Sequence, residues 1–362
     1  MTSPQARGAM LQTTLPPGAT PEPQPGLRSL VASFEKPSIS RSILQIATSL
    51  GLYVAACGAM YWSLHISYLL TLALMIPAAG LLVRVFIVQH DCGHGAFFRS
   101  RAANDAVGII CSLLTFTPYA NWRRGHNAHH GNWNNLDRRD PGSPDFYSSC
   151  STVEEYLALS RWGRFRYRAL RHPAVAQVIL PPVVFLLLYR QPFDTPKAWT
   201  RERRSIHWTN LGLLLELGAI AWMFGFWSIF LVQVPVVALT AMLGVSLFSL
   251  QHRFDGVVWA RQGDWSVTTA ALHGSSYFKL PRVLQWFTGN IGFHHIHHLS
   301  PRVPNYRLEA CHRSIPALNS VTTLTWRDAI KACRLMLWDE ANRRMVRFAD
   351  VGRAQFRQSV SA

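Results

Sequence analysis

The sequence predicts an all-α integral membrane protein, with four transmembrane helices in two hairpins and a helical cap gathered on one side. Three observations predict it. Apolar residues are concentrated in long stretches, at 43–64, 66–88 and 209–250, and about 20 such residues cross a bilayer as a helix. Of the 36 Lys and Arg side chains, all but Arg84 lie outside those stretches. Histidines crowd the flanks of the same stretches, at His90 and His94, at His126, His129 and His130, and at His294, His297 and His298.

Taken in order, residues 1–38 are rich in Pro and Gly, lack a basic segment followed by an apolar one, and read as a mobile tail without a cleavable signal. Residues 39–348 read as one catalytic unit and 349–362 as a C-terminal tail. The first hairpin turns at His65. The apolar run 106–119 is too short to cross and suits a helix lying in the interface. A polar loop over 131–147 follows the second histidine cluster. Thr152 and Glu155 have the spacing of a capping box, which opens a helix expected to end before Pro173. That helix carries Arg161, Arg164, Arg168 and Arg171 beside Trp162, Phe165 and Leu170, the composition of a membrane-surface helix. Residues 174–189 are a second segment of interfacial length, the second hairpin turns near Gly225–Trp227, and 325–347 repeat the basic amphipathic pattern.

Charge placement orients the chain. The basic segments are 1–41, 89–206 and 251–362, and the positive-inside rule puts all three, with both termini, in the cytoplasm. A formal charge of +17 could suggest nucleic acid, but basic residues flanking spans normally face anionic headgroups, and no nucleic-acid-binding motif accompanies them. The six cysteines form no Cys-x-x-Cys pair, which fits free thiols in a reducing compartment.

Residues three and four apart share one helix face, so each cluster can aim two or three imidazoles at one point. All three clusters fall on the same expected membrane side, and together they exceed what a single tetrahedral ion can use. A two-metal site built almost wholly from histidine follows. His252, closing the last apolar run, is placed to add a ligand, and His273 is the weaker candidate for that role. His295 points off the face of its neighbours, and His65, His172, His207 and His312 are isolated. There is no Glu-x-x-His pair of the carboxylate-bridged bundles. Asp91 follows His90 where a zinc protease would need Glu. An imidazole-rich site beside a membrane suits iron and O2 chemistry on an inert C–H bond.

The segments His90-Asp91-Cys92-Gly93-His94, His126-Asn-Ala-His129-His130 and His294-His-Ile-His297-His298 resemble the three histidine boxes of membrane fatty acid desaturases. The first box, with 134–139, Gln251-His252 and 290–299, looks most like the bacterial acyl-lipid Δ12 (omega-6) branch, and the resemblance runs from about 40 to 345. It implies a non-haem centre of two iron ions, O2 as co-substrate, two electrons from an external donor, and a cis double bond introduced into the acyl chain of a lipid. It carries the ligand role onto His90, His94, His126, His129, His130, His294, His297 and His298, and onto His252 as the extra histidine before the third box. Gly131-Asn-Trp-Asn-Asn departs from the Δ12 form and is followed by the stretch from Asp140 to Asp145, a loop placed to border the substrate. The chain also lacks the His-Pro-Gly-Gly haem motif of fused cytochrome b5. The resemblance therefore implies a separate carrier, ferredoxin or cytochrome b5, docking on cytoplasmic arginines in a bacterial inner membrane. Two rival readings share the histidines: a hydroxylase or ketolase of the same membrane di-iron superfamily, and a histidine-rich metal transporter, which would place its ligands near the bilayer midplane.

Overall fold

The computed structural model describes residues 26–139 and 144–351. A short helix, α1 (Leu27–Ala32), lies within the stretch read as a tail, yet its Leu27 and Val31 are buried against the third histidine segment. The first hairpin follows as α2 (Ile39–Ser63), which includes one π-helical turn at Ala47–Gly51, and α3 (Tyr68–Gly93). Two shorter helices, α4 (Arg101–Leu114) and α5 (Tyr119–Asn132), come next. Then come α6 (Val153–Ala158), α7 (Arg161–Arg171) and α8 (Ala174–Arg190). The second hairpin is α9 (Thr200–Phe224) and α10 (Ile229–Leu250). At its tip Gly225 adopts φ 85°, a left-handed turn that suits glycine and stops α9. The cap is completed by α11 (Val267–His273), α12 (Arg282–Phe287), α13 (His294–Leu299), α14 (Asn305–Ser314) and α15 (Trp326–Ala332).

Among the described residues, α2, α3 and α10 are long and apolar enough to cross a membrane, and α7 with α8, bent by 53° at their junction, makes a fourth if taken as one broken span. The helix expected as a span at the start of the 209–250 stretch, α9, is not among them. It is 25 residues long, but it opens on Arg201, Glu202, Arg203 and Arg204 and carries Glu216 further on, so too little of it is apolar. The three spans share one core, in which Tyr53, Cys57 and Met60 of α2, Leu82 and Val85 of α3, and Val232 and Val236 of α10 are buried. Their other faces expose large apolar side chains such as Leu69 at 78%, as expected of surfaces whose solvent is lipid. Arg84, inside α3, lays its guanidinium 4.1 Å over the Trp286 ring and donates to the Trp286 carbonyl, so the charge is held by α12.

Three expectations need correction. The fold is not wholly helical: Ser151–Thr152 (β1) pairs in parallel with Leu337–Asp339 (β4), which pairs antiparallel with Arg344–Val346 (β5). Tyr277–Phe278 (β2) pairs with Thr323–Leu324 (β3). The basic segment 325–347 is therefore one short helix followed by a hairpin, with Trp338 and Met345 buried. The capping box at Thr152 and Glu155 is present, but its helix ends at Ala158 and Ser160 caps a second one, accepting from the Gly163 amide at 3.1 Å. Glu155 also receives Arg139 at 2.5 and 2.9 Å, fixing the end of the loop after α5. Asp140 to Gly142 and Ser143 of that loop, residues 1–25 and residues 352–362 lie outside the described residues. The six cysteines are all free.

Gly108 on α4 faces the Tyr119 ring so closely that any Cβ would overlap it. Gly108→Val should cost about 1–3 kcal/mol through overpacking and lower the thermal midpoint of the detergent-purified protein, whereas Gly58→Ala, with open space at its Cβ, should not.

Candidate metal centre

The apolar helices deliver the first histidines together. His90 lies in the last turn of α3 and His94 caps it, while His252 lies just beyond α10, which packs against α3. Those two ends therefore meet on one side of the helical layer. Under them α5 contributes His126, His129 and His130 from one helical stretch, and the six-residue α13 contributes His294, His297 and His298. Packing aims α13: Ile296 and Leu299 are buried with Leu308, Leu27 and Val31 on its opposite side.

The rings form two groups. His90, His94, His126, His130 and His297 offer ligand atoms that all lie within 4.8 Å of one another, and so do His129, His252 and His298. In the first group His297 Nε2 stands 3.0 Å from His90 Nε2 and 2.9 Å from His130 Nε2. In the second, His252 Nε2 is 3.2 Å from His129 Nε2 and 3.1 Å from His298 Nε2. His294 joins this group, its Nε2 3.0 Å from His252 and 3.1 Å from His298. The groups adjoin, with the His130 and His298 rings stacked at 4.3 Å. All nine histidines assigned from the sequence thus come together. His273 does not: its ring is half-buried with no described contact to either group, and its carbonyl accepts from the Val258 amide at 2.9 Å. His295 is fully buried but turned away, its ring 5.3 Å from that of His312.

Burial first, and neighbouring imidazoles second, hold His94, His126, His130, His294, His297 and His298 well below the ordinary histidine pKa. They are neutral at pH 7, so each keeps a lone pair for a metal. One proton can bridge two imidazole nitrogens, but His298 Nε2 faces three others within 3.4 Å, and His94 Nε2 is buried with no partner. A cation satisfies such a convergence of donors; hydrogen bonds do not. The donor set, all nitrogen and largely buried, fits a pair of first-row transition metals such as iron.

Side chains behind the ring fix the orientation of several histidines. His90 Nδ1 lies 3.2 Å from the Asp91 carboxylate, which also accepts from the Asn305 amide at 2.7 Å and Asn305 Nδ2 at 2.8 Å. Gln45 on α2 donates to Asn305 Oδ1 at 2.9 Å, so one hydrogen-bonded chain ties α2, α3 and α14 to the site. His252 Nδ1 donates to the Gly274 carbonyl at 3.3 Å, leaving its Nε2 lone pair turned inward. Trp122 stacks on His126 at 4.9 Å, and Phe248 meets the rings of His129 and His252 edge-on. Sequence reasoning missed these supports. Trp122 and Phe248 each precede a histidine by four residues, so helical spacing could have found them; Asn305 and Gln45 carry no such signal.

Comparison with known proteins agrees with this geometry. The family model described as fatty acid desaturase matches residues 44–326. A fatty acid desaturase of Bacillus subtilis is 40% identical over 325 residues, covering 90% of this chain and 91% of that protein. An sn-1 oleoyl-lipid 12-desaturase of Anabaena variabilis is 24% identical over 81% of this chain and 82% of its own. An sn-1 acyl-lipid omega-3 desaturase (ferredoxin) of Synechocystis is 26% identical over 79% and 78%. A match over most of its length, and a relative this similar from end to end, place the chain in the fatty acid desaturase family.

Proposed function

We propose that this protein is an O2-dependent acyl-lipid desaturase that introduces a cis double bond at the Δ12 (omega-6) position, using two iron ions held by His90, His94, His126, His129, His130, His252, His294, His297 and His298. The convergence of these rings in two adjoining groups at the ends of α3 and α10 carries the reading. Bound iron would supply the activation of O2 that breaks an unactivated C–H bond. The protein's part is positional. Neutral imidazoles keep their lone pairs inward, Asp91 and the Gly274 carbonyl hold two rings in place, and Trp122, Phe248 and Trp133 pack against the rings and exclude water.

The Δ12 position and the lipid-linked substrate are supported by the relatives that act on oleoyl- and acyl-lipids and by the histidine-box context. We read the catalytic unit as residues 39–348, set in a bacterial inner membrane. Because α3 and α10 both end at the metal site, the chain must cross back between them, and we read α9, despite its charged first turns, as that fourth span. The basic flanks put the termini and the metal site on the cytoplasmic side. Electrons arrive from a separate acidic carrier, ferredoxin or cytochrome b5. Family membership weighs against the transporter reading, as does the placement of the histidines at helix ends rather than midway along the spans. Hydroxylation is the alternative fate of the same activated methylene.

Expression in a bacterium without polyunsaturated lipids, followed by mass spectrometry of its fatty acids, should reveal a new diunsaturated chain with the second double bond at carbon 12. A hydroxylated product without new unsaturation would transfer the protein to the hydroxylase reading. His126→Ala and His297→Ala should each abolish the product while the protein still accumulates in the membrane. Asp91→Asn removes the charge behind His90 and should weaken iron binding about 10–100-fold, read by titrating iron into metal-depleted protein.

A further inference from the structure

On the side of α3 that ends in the first histidine pair, a cleft of about 490 Å³ opens to the surface. One wall is the backbone turn Cys92–Gly95, so the cleft reaches His94 from outside the cage. Its lining contains six arginines, Arg99, Arg101, Arg123, Arg124, Arg201 and Arg302, against two acids, Asp105 and Glu202. Those acids hold the inner arginines in place: Asp105 takes Arg123 at 2.5 Å and Arg201 at 3.4 Å, and Glu202 takes Arg124 at 3.3 Å. Arg124 is further fixed 3.6 Å over the Trp199 ring. Arg99 and Arg101 are exposed and have no acidic partner among the described residues, leaving the rim positive.

Apart from glycine, Cys92 and Ala120 are the non-polar residues of this lining. An acyl chain needs an apolar channel, so this cleft is not its route. It is a polar, positively charged approach that ends on a candidate metal ligand. We propose that it is the docking site of an acidic one-electron carrier protein, with His94 as the point where electrons enter the metal centre. This rests on the desaturase reading above. Each turnover draws one electron from each of two carrier molecules. With two protons and the two hydrogens leaving the CH2–CH2 unit, they reduce O2 to two waters and leave CH=CH. Fixed arginines at the rim steer an acidic partner and set its orientation, an effect that weakens with salt.

The double variant Arg99→Glu, Arg101→Glu tests the site. Arg101 opens α4, where an acid is favoured by the helix dipole, and Arg99 is exposed just before the Ser100 cap, so local folding should tolerate both changes; Arg99→Gln, Arg101→Gln is the milder companion. Full-length protein in lipid nanodiscs is assayed with a purified acidic [2Fe–2S] ferredoxin as donor, alongside direct ferredoxin binding at several salt concentrations. The expected result is a KM for ferredoxin raised about tenfold or more, a flattened salt dependence, weaker binding, and unchanged kcat and KM for the lipid. An unchanged KM for ferredoxin overturns the proposal. If the KM for the lipid rises instead, the cleft serves an anionic headgroup and the proposal is again overturned. Salt-sensitive ferredoxin binding that the variant loses, in a wild-type protein that makes no unsaturated product, would sink the desaturase reading while leaving the docking site standing.

Discussion

The structure depends on gathering nine imidazoles, six of them buried, at the ends of α3 and α10. Buried polar nitrogen is costly unless it has a partner, and here Nε2 atoms crowd together more closely than single bridging protons can satisfy. His298 Nε2 alone has three nitrogen neighbours within 3.4 Å. A cage of this kind makes physical sense as a receptor for cations, which turn mutually unsatisfied lone pairs into ligand bonds. The rest of the fold exists to hold it against its tendency to fly apart.

Two kinds of support do so. Apolar packing between α2, α3 and α10 brings the ends of α3 and α10 to the same level, which delivers His90, His94 and His252 to one place before any polar contact orients their rings. The cap is held by mixed means. Ile296 and Leu299 anchor α13 on one side while its histidines face the other. The chain Gln45–Asn305–Asp91–His90 joins the first span to the site through buried hydrogen bonds. Because each partner in that chain is buried, losing one leaves the next unsatisfied, and the site feels changes made a helix away.

The spans at α2, α3 and α10 and eight of the nine ring positions were legible because both signals are local: apolar length in one case, spacing of three and four residues in the other. His252 was found by topology, since only a helix end above the cluster could reach it. His273, the weaker candidate, is not among the rings that converge. The sequence also suggested a wholly helical cap. The strand pairs Ser151–Leu337 and Tyr277–Thr323 join segments far apart in the chain, and two-residue strands leave no periodic pattern to read. Asp91, Asn305 and Gln45 escaped for the same reason: their roles are set by contacts between distant segments. The basic cleft beside His94 was visible only as scattered arginines until folding brought α4, α5 and α9 to one opening.

The most direct test of the central claim is the metal content of purified, active protein, combined with Mössbauer spectroscopy of the same sample. The account expects two iron ions per chain, high-spin and bound mainly by nitrogen, with the iron lost in parallel with activity on chelation. Active protein free of iron, or fully active with a single ion per chain, would contradict it.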